Sequence, residues 1–177
     1  MSCLGLYRME NKVSTFIKTA NREHYQTIAD IYNEYIILGT ATMDETIKTV
    51  EDIASWIGKF NKNEALYVLE KENRIIGWGI IKRYSDREGY RYTGETAVYL
   101  TQSEIGKGYG TTLKKYLIEQ CKLRNYHHLV AKIISVNKGS ITYNLKQGYT
   151  IVGTQKEIGF RNNQWQDVTI MQLILRK

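Results

Sequence analysis

Val98-Tyr99-Leu100-Thr101-Gln102-Ser103-Glu104-Ile105-Gly106-Lys107-Gly108-Tyr109-Gly110-Thr111-Thr112-Leu113 is the stretch of this chain that says most about its fold. It begins as an apolar strand, passes through a short turn and three alternating glycines, and runs on into a helical pattern. Glycine enters backbone conformations with positive φ and lets a ligand come close to the main chain. The first N–H groups of a helix have no intrahelical acceptor, and the helix dipole adds positive potential there. Strand, glycine loop and helix start therefore form an anion site from main-chain atoms, to which Lys107 adds a cation. The stretch lacks the Gly-Lys-Ser/Thr ending of a nucleotide P-loop. It also lacks the G-x-G-x-x-G spacing of a dinucleotide fold and lies mid-chain. Read alone, these glycines would serve a tight strand-to-helix turn equally well.

Outward from this stretch the pattern alternates between strand and helix. Residues 13–19 are β-branched and alternating, which predicts a first strand. Asn21 is placed to cap a helix carrying Ile28, Ile31, Tyr32, Tyr35 and Ile36, and Thr49 to cap a second with Ile53, Trp56, Ile57 and Phe60 on one face. Residues 65–70 and 74–82 form an expected hairpin around Lys71-Glu72-Asn73. A polar, aromatic-rich loop over 84–92 precedes a strand at 96–101 and the helix after the glycines, at about 111–124. Residues 128–136 predict another strand, 140–147 a short helix ended by Gly148, and 149–160 and 166–175 the last two strands. This order predicts one α/β (α+β) domain: a mixed, mostly antiparallel sheet of about six to seven strands flanked by helices. Residues 1–12 are expected to be a flexible N-terminal extension and 13–177 the domain.

The composition narrows the class further. The chain has 177 residues, 42% hydrophobic and 24% charged, with a net charge of +7; it suits one folded domain and excludes a disordered chain. No apolar run approaches the ~18 residues of a transmembrane helix, and the start lacks the pattern of a secretory signal. A cytoplasmic protein with no membrane partner is expected. Its two cysteines, Cys3 and Cys121, make neither a disulfide framework nor a four-ligand zinc site. Cys121 is expected to be a buried, inert thiol. His127 and His128 are adjacent and would point to opposite faces of a strand, so no metal site is expected. The pI near 9.3 leaves three readings open: diffuse surface charge, a phosphate-bearing small ligand, or nucleic acid.

The chain from Val13 to Leu175 resembles the GNAT N-acetyltransferase superfamily, most closely the branch of phosphinothricin and methionine-sulfone acetyltransferases. The resemblance rests on Ile31-Tyr32-Asn33 with Thr40-Ala41-Thr42; on Tyr90-Arg91-Tyr92-Thr93-Gly94-Glu95-Thr96-Ala97-Val98-Tyr99-Leu100; on Gly106-Lys107-Gly108-Tyr109-Gly110; on Asn137 and Ser140 with Gly148-Tyr149; and on Trp165-Gln166-Asp167-Val168. It implies acetyl-coenzyme A as acyl donor, its pyrophosphate held by the main chain of Gly106, Lys107, Gly108, Tyr109, Gly110 and Thr111. Its pantetheine arm would run along Val98, Tyr99 and Leu100, with Asn137 and Lys146 near the cofactor; Asn137 can also cap the following helix. The resemblance places the general base at Glu95, expected half-buried beside Trp78, Tyr92 and other aromatics. An ammonium acceptor must lose a proton before its nitrogen attacks a thioester, and a carboxylate can take that proton directly or through one water. A strand N–H near Val98 or Tyr99 would stabilise the developing oxyanion.

The sequence departs from the family pattern at two places. Ile105 stands where Arg or Gln usually precedes the first loop glycine, and Asn144 where His or Tyr often stands. Asn does not titrate; Tyr143, one residue earlier, is the alternative acid for the leaving thiolate, or else a packing residue. In the loop over 84–92, Arg87 with Tyr90 is expected to orient an amino-acid-like acceptor, since a guanidinium fork suits a carboxylate, phosphinate or sulfone oxygen. Ser85 replaces a second arginine, and Arg87 could instead pair with Asp86 or Glu88. The reading is an acetyl-coenzyme A-dependent N-acetyltransferase acting on a small primary amine, with no nucleic-acid partner and a possible homodimer. Its rival is a binding module for acyl-coenzyme A or nucleic acid without turnover.

Overall fold

A computed structural model describes residues 14–176; the proposed extension at 1–12, Val13 and Cys3 lie outside them. Two tight turns organise the sheet. Between β2 (Ala65–Lys71) and β3 (Arg74–Arg83), Glu72 and Asn73 both take positive φ, 49° and 63°. This conformation matches the twist of an antiparallel hairpin. Asn162 and Asn163 do the same, at φ 51° and 57°, between β6 (Thr150–Arg161) and β7 (Gln164–Ile174). The remaining strands are β1 (Thr15–Thr19), β4 (Thr93–Leu100) and β5 (His128–Ile134).

The helices start where short polar side chains can accept the orphan N–H groups. Asn21 caps a 3-10 turn that leads into α1 (Tyr25–Leu38). Thr49 and Asp52 form a reciprocal capping box at the start of α2 (Val50–Gly58). In α3 (Tyr109–Leu123) the cap is Gly108, whose φ of 87° lets the helix begin two residues earlier than the sequence pattern suggests. Gly110 therefore lies inside the helix rather than in the loop. Asn137 caps α4 (Lys138–Lys146).

The seven strands are ordered β1-β2-β3-β4-β5-β7-β6. All neighbours among the described residues are antiparallel except β4 and β5, which α3 connects in parallel. This is the mixed, mostly antiparallel sheet that the element order predicts. What that order leaves open is that the last strand lies between β5 and β6. Side chains alternate between the two faces. Leu69, Ile81, Leu100, Leu129 and Met171 pack against Leu113, Leu117 and Cys121 of α3. Leu66, Val68, Trp78 and Ile80 pack against Ile28 and Ile31 of α1 and Ile53 of α2.

The parallel contact is short. Thr93, Gly94 and Glu95 pair with His128, Leu129 and Val130, and there the register ends. Beyond it β4 stays with β3 as far as Leu100, while β5 follows β7 along its whole length. The two strands part immediately after Glu95. Glu95 itself is the third residue of β4, because the strand starts three residues earlier than its apolar core suggests.

Candidate active site

At the far end of β4 the chain turns through the glycine loop. Gly106 and Gly108 have φ of 82° and 87°, and a Cβ added to either would meet nothing within 4 Å. These two positions are thus set by backbone conformation and not by crowding. Gly110 has no such constraint: its added Cβ would lie 3.6 Å from Leu100 Cδ1, an ordinary contact. The helical ladder opens with Thr112 N–H donating to Gly108 at 3.2 Å. The N–H groups of Tyr109, Gly110 and Thr111 precede it, in a first turn with no acidic residue. That arrangement can accept an anion on main-chain donors. Lys107 is exposed, and its ammonium lies 3.3 Å from Glu104, which also holds Lys71 at 3.2 Å. Ile105 is half exposed beside them.

Along the gap, the main chain of β4 alternates in direction. Thr101 N–H donates to Ile76 of β3 at 2.9 Å, so Tyr99, two residues earlier, also turns its peptide groups to β3. Leu100 faces the gap, where the Tyr35 hydroxyl donates to its carbonyl at 2.6 Å and accepts from its N–H at 3.2 Å. Val98 shares that direction, which makes its peptide groups the ones offered to the gap. Of the three residues expected to carry main-chain contacts, Leu100 is therefore already engaged by Tyr35 and Tyr99 contributes a side chain instead. Asn137 Oδ1 accepts from Ser140 N–H at 3.0 Å as a helix cap. Lys146 is exposed in the last turn of α4. Tyr143 donates to the Gly110 carbonyl at 2.5 Å, tying α4 to the first turn of α3, and burial pushes its phenol above the usual range. Asn144 is buried with its amide donating to Ser140 at 2.9 Å, while its Oδ1 finds no partner among the described residues.

On the α1/α2 face of the sheet a cleft of about 540 Å³ opens over the point where β4 and β5 part. Its wall is aromatic: Tyr32 meets Trp56, Trp78 and Tyr99 edge to face at 5.4, 5.6 and 5.0 Å. The Tyr32 hydroxyl bonds Thr42 at 2.6 Å and Asp44 at 2.8 Å, and burial raises its pKa to about 12. Glu95 projects into the cleft and accepts from Lys132 Nζ at 2.5 Å. That ammonium also lies 5.2 Å from the Tyr84 ring. Trp78 is in the cleft as expected. Tyr92 is not: it is half exposed, with the Arg91 guanidinium 4.7 Å over its ring.

The loop residues divide differently from the sequence expectation. The guanidinium on the cleft wall belongs to Arg83, which holds Glu64 at 2.5 Å and also pairs with Asp86. Arg87 lines an adjoining recess of about 380 Å³, which shares Lys59, Phe60, Arg83, Ser85 and Asp86 with the cleft. Asp86, a proposed partner for Arg87, is committed to Arg83. Tyr90 is exposed and packs edge to face on Tyr84 at 5.3 Å. Sequence reading missed Arg83, Tyr35 and Lys132. Lys132 had a signal: it is the one charge inside the apolar run 129–134, at a spacing that puts it on the same face as Val130. Cys121 is buried and its thiol is pushed up to about 12 by that burial, as suits a packing residue. Among the described residues no three side chains group to hold a metal, and no helix is long and apolar enough to cross a membrane.

An acetyltransferase (GNAT) domain model matches residues 17–170, nearly the whole described chain. The protein belongs to the GNAT acetyltransferase family. It is 30% identical, over 90% of its length and 94% of the relative, to the L-methionine sulfoximine/L-methionine sulfone acetyltransferase of Salmonella typhimurium. The crystal structure of an N-acetyltransferase from Staphylococcus aureus superposes with a TM-score of 0.88 at 29% identity, covering 92% of this chain and 99% of that one. A phosphinothricin acetyltransferase of the same superfamily from Sinorhizobium meliloti, solved in complex with acetyl-coenzyme A, superposes at 0.86 with 26% identity, covering 91% and 88%. The parted strands and the glycine-capped α3 lie at the two ends of β4.

Proposed function

We propose that this GNAT enzyme transfers the acetyl group of acetyl-coenzyme A to the primary amine of a small acceptor, an amino acid or an amino-acid analogue such as a methionine sulfone. The observation that carries the proposal is the position of Glu95. It stands in an aromatic cleft where β4 and β5 separate, on the same strand that leads to the anion-accepting start of α3. The residues suited to the donor are the main chain from Gly106 to Thr111, with Val98 N–H toward the gap. That N–H is placed to stabilise negative charge developing on the acyl oxygen. Tyr99 closes the aromatic wall beside it, and Asn137 and Lys146, at the two ends of α4, are assigned to the cofactor. Bound acetyl-coenzyme A supplies an activated thioester carbonyl.

Glu95 takes a proton from the acceptor's ammonium, directly or through one water, and the freed amine attacks in a ternary complex. The new C–N bond forms as the C–S bond breaks, the sulfur leaves as thiolate, and the second proton shed by the acylated nitrogen passes to that thiolate, through solvent. Tyr143 reaches that thiolate only by exchanging its bond to Gly110, and a phenol raised by burial gives up its proton reluctantly; its assigned role is to tie α4 to α3. Arg87, bordering the recess beyond the cleft, and Tyr90, packed on Tyr84 of the cleft wall, suit the polar far end of the acceptor. Exposed Ile151, Val152, Ile158 and Phe160 on β6 suit a homodimer contact, and the proposed setting is the reducing cytoplasm.

The test is thiol release from acetyl-coenzyme A across a panel of amines. Acceptor-dependent release with methionine sulfone is the expected result. Cofactor affinity without release would support the binding-module reading instead, and binding to nucleic acid that weakens steeply with salt would support the other rival.

A further inference from the structure

The cleft is lined by as many cations as carboxylates, but beside the base cations are in excess. Four carboxylates line it, and each is held by a cation. Asp44 has Lys48 at 3.3 Å, Glu64 has Arg83 at 2.5 Å, Asp86 has the same Arg83, and Glu95 has Lys132 at 2.5 Å. Two further ammonium groups, Lys59 and Lys82, also line the cleft, and neither pairs with a carboxylate among the described residues. Lys82 is the direct register partner of Glu95 across the β3–β4 ladder, so the two side chains lie on the same face. Lys132 reaches Glu95 from the other side, two residues beyond its register partner Val130. The base is thus flanked by lysines on both neighbouring strands.

This arrangement has two consequences for an incoming ammonium. It meets two like charges beside the only carboxylate it needs, and that carboxylate already accepts from Lys132. A bare amine therefore binds against repulsion and finds the base masked. An acceptor that carries an anion next to its amine reverses both effects, because its anion can take the Lys132 ammonium while its nitrogen approaches Glu95. Nearly half of the Lys132 side chain is exposed, so it can swing without disturbing the core, and the Tyr84 ring 5.2 Å away offers the cation a face to turn on.

Resting on the acetyl-transfer reading, we propose that Lys132, with Lys82 opposite, is the specificity-determining counter-ion of Glu95, and that the acceptor's own α-carboxylate unmasks the base by drawing Lys132 away from it. The step transfers no atom. One ion pair is exchanged for another, after which the acceptor's proton passes to Glu95 as above. Lys132 is a positioning residue: it acts on the chemistry through Glu95. This function is distinct from that of Arg87, which borders the recess at the cleft's far end.

The experiment compares L-methionine sulfone with its carboxamide, which keeps the amine and removes the negative charge. Wild-type enzyme is expected to favour the acid by at least about tenfold in kcat/KM. In Lys132→Met that ratio should fall at least about fivefold, chiefly through a higher KM for the acid, and Lys132→Arg should restore most of it. A loss in Lys132→Met that is equal for acid and amide would overturn the proposal, as would a wild-type enzyme indifferent to the charge. A second readout does not depend on turnover. With 13C-labelled glutamate, assigned through Glu95→Gln, the Glu95 carboxyl resonance should move on adding the acid and stay in place on adding the amide. Thiol release with no amine at all would sink the acetyl-transfer reading, whereas release without charge preference sinks only this one.

Discussion

The two ends of β4 are built by different means. At its C-terminal end the proposed anion site comes from residues contiguous in sequence, Gly106 to Thr111, and the groups it would use are peptide N–H. At its N-terminal end the cleft is drawn from α1, α2, β3, β4, β5 and the loop over 84–92, and the groups that matter are side chains. Glu95 and Lys132 lie 37 residues apart, and Arg83 and Glu64 lie 19 apart. A main-chain site tolerates new side chains but not new φ angles, while a side-chain site is sensitive to single atoms.

Substitutions at each end should separate these behaviours. Glu95→Gln preserves shape and removes the proposed base; kcat should fall about 10²- to 10⁴-fold in steady-state assays, with the Michaelis constant for acetyl-coenzyme A nearly unchanged. Gly108→Val forces a β-branched residue into φ 87°, at a cost of about 1–2 kcal/mol. Calorimetric titration with coenzyme A should show binding weakened about tenfold, while Gly110→Ala, where φ is helical, should change it by less than about threefold.

Between the two ends lies Lys114 of α3, fully buried, bonding Thr96 at 2.7 Å and lying 4.5 Å over the Tyr149 ring. Desolvation by burial lowers its pKa to about 7. Above that value the folded chain carries a neutral amine, while the unfolded chain still binds the proton. Stability should therefore rise between pH 7 and 9, by at most about 1.4 kcal/mol per pH unit from this group. The pH dependence of chemical denaturation checks this, and Lys114→Met should flatten the slope over that window. Above pH 9 the raised thiol of Cys121 contributes with the opposite sign. The smallest effect belongs to Lys107→Ala. Its ammonium is half exposed and shared with Glu104, so affinity for coenzyme A should drop less than about threefold.

Helix caps and hairpin turns were legible because they are local. Asn21, Thr49 and the Glu72-Asn73 turn carry their reasons in the side chain or φ preference of one or two residues. The start of β4 was less so: Thr93-Gly94-Glu95 has no apolar alternation, and it is a strand because Arg83, Lys82 and Ile81 of β3 pair with its neighbourhood. The cleft side chains were hardest. Arg87 was legible from its loop and lines the adjoining recess, whereas Arg83, which a strand end places on the cleft wall, was not. Tyr35 read as an apolar helix position, and only the packing of α1 on the gap brings its hydroxyl to Leu100.

The amino-acid order alone determined the strand-and-helix sequence, the glycine-capped helix start and the candidacy of Glu95, since each depends on contacts within a few residues or on one recognisable run. Tertiary structure decided where the last strand enters the sheet, where β4 and β5 part, and which charges meet over Glu95. Those are outcomes of pairing between distant segments. Their energies depend on register and on desolvation in a shared cleft, and neither has a value until the chain has folded.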